Sequence, residues 1–389
     1  MLEVLKLKPE AFGLDISDLS LKIIKLEKKR GVLNLASFGE TPIKPGIIKE
    51  GEIKNEKSLA KIIKKAITEV EGKKINSKHV VVSLPEEKAF LQVIQMPRLP
   101  EEDLKSAVVY EAENHIPLPV EEVYLDSQII SPIYNHLDHY DVLIAALPKK
   151  TVDPYISCLK TAGLEPLVLE IESLAIARTL IKNKVTSFPV LIIDLGSTRT
   201  SFIIFSGHSL RFTSSIPVSS QKFTEAISQT MKIDLISAEK LKLKYGLETK
   251  TREIKRQIFD ALIPPLTDLI EQIKKHLDYY QSHASHEHLL PSGKGVHSQT
   301  NKGYSKNRAK RSNQSSMGVK KILLCGGGAN LIGLTNFLSN ELNLPVEPAN
   351  PWINILPKVQ EKILGLSSEK SLSYTTAIGL ALRGVKNHD

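Results

Sequence analysis

The sequence predicts an α/β protein of two lobes, each with a mixed sheet that opens on the same strand–turn–strand hairpin. Three observations predict it. The 389 residues, 41% hydrophobic and 24% charged, are of ordinary globular composition and too many for one ordinary core. Residues 14–24 read as strand, Asp-containing turn and strand, and residues 190–205 read the same way. That is an internal repeat. Around both hairpins, short buried-strand patterns alternate with apolar residues at helical spacing, the mark of helices laid on sheets.

In the first lobe, residues 12–16, 19–26 and 32–38 form a three-strand meander, with Lys29-Arg30-Gly31 as its second turn. Residues 58–70 place Leu59, Ile62, Ile63, Ala66, Ile67 and Val70 on one helical face, and 79–84 return as a buried strand ended by Pro85. A smaller α+β module over 86–149 follows: a strand at 89–96, a helix at 101–115 stopped by Ile116-Pro117-Leu118-Pro119, and strands at 124–133 and 141–146. A helix at 152–161 and a strand at 167–169 rejoin the first lobe, which is thus 1–85 plus 150–185.

The second lobe, 186–218 plus 319–389, repeats the opening with a strand at 190–194, a Leu195-Gly196-Ser197-Thr198 turn and a returning strand at 199–205. Three helices, around 219–230, 234–244 and 250–282, make a helical subdomain over 219–282. Then come a strand at 321–324, a glycine turn, a helix at 331–342 and a last helix at 375–383.

Between them, 283–318 is polar and basic, with a net charge of +5 against +4 for the rest of the chain. Such a tract cannot bury enough apolar surface to order itself, so it is expected to be a disordered insertion. His283, His286, Glu287 and His288 within it read as unstructured polar sequence, not a metal site. Tyr304 is its lone aromatic, so nucleic acid is not an expected partner. Cys158 and Cys325 form no CxxC, and the start lacks the apolar core of a signal peptide, which suits a reducing, cytoplasmic setting. No run of about eighteen apolar residues is present to span a bilayer.

The turns can do chemistry. Asp at a strand end, followed by Gly196, Ser197 and Thr198, suits phosphate: glycine lets backbone N–H groups approach and the hydroxyls add donors. Asp194 can hold Mg²⁺ through its water shell. Gly326-Gly327-Gly328-Ala329-Asn330 leaves a buried strand and opens a helix, so a nucleotide can lie against bare backbone there. Read in isolation, each turn is equally a plain hairpin or strand-to-helix turn. No Walker loop and no Ser-His-Asp or Cys-His nucleophile is present.

Together, two Asp turns followed by a triple-glycine turn resemble the actin, Hsp70 and sugar-kinase superfamily in order and spacing. The resemblance implies an actin-like ATPase fold whose two phosphate-binding hairpins clamp ATP between 1A-like and 2A-like lobes, with the 219–282 helices as a 2B-like subdomain. Asp15, Ser17 and Lys22 would serve the first loop, and Asp194, Gly196, Ser197 and Thr198 the second. Asp15 and Asp194 would hold Mg²⁺ through water, in the kind of site in which few carboxylates touch the ion. Gly326, Gly327, Gly328 and Asn330 would face adenosine. Residues 238–246 are similar to the A-E-x-x-K helix of MreB and FtsA, which implies that Glu239 and Lys242 contact ribose and base.

Residues 96–104 and 111–119, the latter reading E-A-E-x-x-I-P-x-P, look like the small 1C (SHS2-like) subdomain of the PilM family of type IV pilus assembly proteins. Residues 170–178 and 377–384 are similar to that family's helices before the second loop and at the end of the chain. The resemblance spans nearly all of the chain except 283–318. It implies an ATP-liganded scaffold peripheral to the inner face of the cytoplasmic membrane. Its partners would be the cytoplasmic N-terminal tail of PilN, bound in a groove involving the 1C module, and other alignment and platform proteins. Self-association is a further expectation. Ser17 stands where the family has glycine and Asp18 adds a charge, so weak or no ATP hydrolysis is expected. The alternative is an FtsA-like cell-division anchor, which generally ends in an amphipathic membrane helix; only five residues follow Gly384 here. A sugar kinase would need a catalytic base and a sugar pocket, for which no motif is present.

Overall fold

A computed structural model of the chain describes residues 10–130, 139–248, 253–284, 318–355 and 365–386. Nearly all of the basic segment over 283–318, with its histidine cluster, lies outside the described residues.

The first lobe holds β1 (Ala11–Ile16), β2 (Ser20–Lys29), β3 (Val32–Pro42), the small hairpin β4 (Ile48–Lys49) and β5 (Glu52–Ile53), α1 (Glu56–Thr68), β6 (Glu71–Gly72) and β7 (His79–Leu84). The smaller module follows with β8 (Phe90–Pro97), α2 (Glu101–Glu113), β9 (Val123–Ile130) and β10 (His139–Pro148). Next are α3 (Lys149–Thr161), β11 (Glu165–Ile171) and α4 (Glu172–Leu180). The second lobe has β12 (Thr186–Leu195), β13 (Thr200–Gly207), β14 (Ser209–Ile216), α5 (Ser220–Met231), α6 (Leu235–Tyr245), α7 (Glu253–Ala284) and β15 (Lys321–Cys325). The described chain ends with α8 (Leu334–Leu342), β16 (Val346–Pro348), α9 (Ser368–Leu372) and α10 (Thr375–Lys386), and α10 packs on β1, β2 and β7 of the first sheet, not within the second lobe where the sequence reading put it.

The internal repeat is a repeat of sheets. The first runs β11-β7-β1-β2-β3-β6 and the second β14-β13-β12-β15-β16. In each, the leading strand is antiparallel to its hairpin partner and parallel to the strand on its other side (β1 with β2 and β7, β12 with β13 and β15). Asp15 pairs with Lys22 and Asp194 with Ser201, so both aspartates sit one residue before the strand end. Strand ends of this kind, where connections diverge, are where open sheets make crevices.

The lobes meet through α4 and α10. A Cβ on Gly379 of α10 would lie within 2.6 Å of both the carbonyl carbon of Ala175 and the hydroxyl of Thr179 on α4. On Gly13 of β1 it would lie 2.6 Å from the Ala381 nitrogen. Glycine at these two positions lets α10 lie directly on α4 and on the first sheet.

The module's three-stranded sheet, β8-β10-β9, carries α2 on one face. Leu104, Val108 and Ala112 of α2 pack on Val142, Ile144 and Ala146 of β10. The other face turns toward the first lobe. Trp352 is buried against Ile355, Leu366 and Tyr374.

Two of the boundaries that differ from the sequence reading have a visible local cause. The first helix starts at Glu56, because Asn55 accepts the Ser58 N–H and caps it, and stops before Val70. The helix expected from residue 331 begins only at Leu334. A 3₁₀ turn over Gly327–Asn330 comes first, and Gly333, at φ +82°, separates the two.

Candidate functional site

A cleft of about 320 Å³ lies between the two hairpin turns. The turns are built alike. The Ser17 N–H donates to the Ser20 carbonyl at 2.9 Å, and the Gly196 N–H donates to the Arg199 carbonyl at 2.9 Å. Ser17 therefore occupies the place of Gly196, and its hydroxyl also donates to the Ser20 carbonyl, at 3.0 Å. The Asp18 carboxylate is not loose in the cleft: it accepts the Glu50 and Gly51 N–H groups, each at 3.0 Å. The sequence showed an added charge at this position but not the two amides that offset it.

Asp15 is buried, and the Ser83 hydroxyl donates to it at 2.9 Å. Burial raises its carboxyl above the usual range, opposed chiefly by the charge of Lys22. Asp194 is pushed up to about 6, by burial first and by the charge of Asp15 second. Lys22 donates to Ser20 Oγ at 2.7 Å and lies 3.6 Å from Glu40. Gly326, at φ +82°, presses on Asp194 and Leu195 so closely that a Cβ would lie 2.6 Å from the Leu195 carbonyl. Ser197, Thr198 and Gly327 also line the cleft.

Sequence reasoning missed two acids here. Glu172, the first residue of α4, lines the cleft and is raised well above the usual carboxylate range, by burial and then by Asp15. Glu87 lines it too and is raised by burial. The readable signal was an acid on the first turn of a helix that leaves a buried strand. Six acids, Asp15, Asp18, Glu40, Glu87, Glu172 and Asp194, thus line one cleft with two cations, Lys22 and Arg199. Among the described residues no three acidic, His or Cys side chains converge closely enough to hold a metal directly. A cation here would be held through water or a ligand's oxygens, which suits Mg²⁺.

A second cavity of about 200 Å³ shares Ser197 and Gly327 with the cleft and is lined by Gly328, Glu239 and Lys242. Lys242 is engaged within the lobe. Its ammonium donates to the Ser220 carbonyl at 3.0 Å and to the Ser220 and Thr224 hydroxyls at 2.8 Å each, and lies 2.8 Å from Glu239. Burial lowers its pKa, with Glu239 opposing. Of the pair only Glu239, with 43% of its side chain exposed, has a surface to offer. Asn330 lines neither cavity; its amide donates to the Glu369 carbonyl at 3.0 Å and ties the glycine turn to α9.

A third cavity, about 260 Å³, lies between the module and the first lobe. Ala145 and Leu147 of β10 face it, alternating with the residues that face α2, and Val152, Ile156, Leu169 and Leu174 form its other wall. Tyr124, Leu125 and Asp126 of the edge strand β9 form its lip, and Glu170 and Arg383 lie at its polar end.

Comparison with known proteins agrees with this architecture. The family model described as type IV pilus assembly protein PilM matches residues 13–290 and 310–385. A solved structure described as a PilM-PilN type IV pilus biogenesis complex contains a chain 27% identical, at a TM-score of 0.74, covering 97% of this chain and 99% of its own. MreB 5 of Spiroplasma citri, solved bound to AMPPNP, shares the fold at 13% identity and a TM-score of 0.53, covering 98% of each chain. The cell division protein FtsA of Enterococcus hirae is 26% identical over 60% of this chain and 57% of its own. That of Streptococcus pneumoniae is 24% identical over 68% and 66%. The matches span less than two thirds of each of these FtsA chains. Family model and fold agree: this is an actin-like chain, and it belongs to the type IV pilus assembly protein PilM family.

Proposed function

We propose that the cleft binds ATP with Mg²⁺ as a structural or switching ligand, and that the groove beside the module binds the cytoplasmic N-terminal tail of PilN. The observation that carries the first part is the pair of matched turns facing buried Asp15 and Asp194. Burial is the first cause of their raised pKa values, with Lys22 opposing it at both, and a Mg²⁺ ion near them would favour their charged forms. The turns would hold the phosphates with Ser17, Gly196, Ser197 and Thr198, while Lys22 offsets charge. Gly326, Gly327, Gly328 and Glu239 would border the nucleoside; Lys242 and Asn330 would support those walls from behind. Bound between lobes, the ligand would favour the closed arrangement by linkage. Ser17 stands in the first turn where Gly196 stands in the second, so weak or no hydrolysis is the expected behaviour.

The second part is supported by the likeness to a PilM-PilN complex over 97% of the chain and by the groove itself. An apolar trough beside the exposed edge of β9 suits an extended peptide that adds to the strand and places alternate side chains in the trough. The apolar side of α2 is already occupied by its own sheet, which favours the strand edge over that helix as the docking element. Through the tail, the protein would join the inner-membrane alignment complex to the cytoplasmic platform. It would thus be peripheral at the inner face of the membrane; among the described residues no helix is long and apolar enough to cross one. A synthetic PilN tail titrated against the intact chain tests this. Protection of β9 and β10 amides from exchange is expected, and protection confined to other regions refutes the assigned surface.

A further inference from the structure

Helix α6 is built inside out. Lys242 is 3% exposed, whereas Leu235, Ile236 and Leu243 are 49%, 71% and 56% exposed. Helices on globular lobes ordinarily do the reverse, turning aliphatic side chains inward and ammonium groups to water. The bonds of Lys242 to Ser220 and Thr224 explain why it is inside. Leu243 borders the second cavity, but nothing within the lobe explains why Leu235 and Ile236 are outside.

Those side chains form one surface. Ile236, Lys240, Leu243 and Lys244 recur at the spacing of a single helical face, with Leu235 beside it. Ile332, 36% exposed, adjoins the C-terminal end, where the Leu247 N–H donates to its carbonyl at 2.8 Å. The rim is cationic. Lys232, Lys240 and Lys244 are exposed, and among the described residues none of them pairs with a carboxylate. The acids nearby are engaged elsewhere: Asp234 accepts from the Ser237 N–H and hydroxyl, Glu239 pairs with Lys242, and Glu248 pairs with Lys255 at 2.9 Å.

We infer that this face of α6 docks on an anionic lipid bilayer. The aliphatic side chains would enter the boundary between headgroups and acyl chains, and the lysines would meet lipid phosphates. Charge complementarity selects this occupant. A two-fold contact between copies through the same face would set three lysines against three. Nucleic acid would call for aromatic side chains to stack on bases, and the protruding ones here are aliphatic. The contact would add a direct attachment to one made through a membrane-anchored partner, and it does not depend on the peptide reading.

The test is cosedimentation of the full chain with phosphatidylcholine vesicles, with and without phosphatidylglycerol. Binding is expected only when phosphatidylglycerol is present. The Leu235→Asn, Ile236→Asn double variant is expected to weaken it about tenfold or more. Lys240→Glu with Lys244→Glu is expected to weaken it about 25-fold, from about fivefold per lysine. All four substitutions are at exposed positions, so the thermal midpoint should stay within about 2 °C. Equal binding to pure phosphatidylcholine, or none to either vesicle, overturns the inference. So does undiminished binding by both variants, which would place lipid contact elsewhere. Loss of self-association without loss of lipid binding would assign the face to a second copy instead.

Discussion

Gly379 lies against Ala175 so closely that no side chain fits between α10 and α4. The same crossing is tied by charge: Arg178 of α4 donates to the Gly379 carbonyl at 3.2 Å and to buried Glu170, which Arg383 of α10 also contacts. Glu170 and Glu172 are two positions apart at the end of β11, yet they serve different places. Glu170 reaches the groove and Glu172 the cleft. The crossing therefore lies between the two sites, and its packing bears on both.

Gly379→Ala should destabilise the protein by about 3 kcal/mol, because backbone on both sides limits relief of the overlap. Chemical denaturation measures this. A loss below about 0.5 kcal/mol would show that the helices can separate at little cost, contrary to the tight crossing.

Asp194 carries a pH dependence whose sign follows from its shift. Its folded-state pKa of about 6 lies above the ordinary value of 3.8, so the folded protein holds this proton more tightly than the unfolded chain. Its contribution to ligand-free stability is greatest below about pH 4 and falls as pH rises toward and through 6. Asp194→Asn should remove that slope and raise ligand-free stability at pH 7 by about 1–2 kcal/mol, allowing for water in the cleft. The same variant should lose most of the thermal shift that Mg²⁺ and ATP give the parent. Melting curves from pH 4 to 8, with and without ligand, test both halves. An unchanged slope would contradict the buried-charge account, and an unchanged ligand shift would remove Asp194 from the nucleotide site.

Much of this arrangement was legible in the sequence, and its limits have physical reasons. The two Asp turns could be read because the chain repeats the pattern, and the paired sheets carry that repeat. Glu172 escaped notice because its partners, Asp15, Glu87 and Asp194, come from distant segments that only the fold assembles. Lys242 was legible as a motif residue but not as a buried one, since its ammonium is satisfied by Ser220 and Thr224 across an interhelical contact. The groove was invisible as a cavity. Neither β10 alternation nor the apolar side chains of α3 and β11 reveals that those faces meet.

Lys242 and Glu239 should separate by assay. Lys242→Met leaves the Ser220 and Thr224 acceptors without their buried donor and should cost about 2 kcal/mol of stability. Glu239→Gln keeps a side chain able to bond Thr224, so it should cost less while weakening nucleotide binding from the second cavity. Thermal midpoints with and without Mg²⁺ and ATP distinguish them. If Lys242→Met leaves stability unchanged but abolishes the ligand shift, the lysine contacts nucleotide directly.

The groove gives the most exposed prediction. Ala145 faces it from β10, with Leu125 on the adjoining edge strand. Ala145→Arg would fill the trough with a long charged side chain whose head can reach water, so the sheet can persist while the trough is blocked. Affinity for a PilN tail should fall tenfold or more, because loss of one desolvated anchor contact commonly costs about 1.4 kcal/mol or more, a factor of about ten. The Mg²⁺ and ATP thermal shift should remain, since the cleft and the groove share no lining residue. Tyr124→Ala is the independent second test from the edge strand, because Tyr124 pairs with groove-facing Leu147. Removing residues 285–317 should leave tail affinity nearly unchanged, as that segment would add at most screened charge attraction. Wild-type affinity in both groove variants, or loss of binding on removing that segment, would place the tail elsewhere on the molecule.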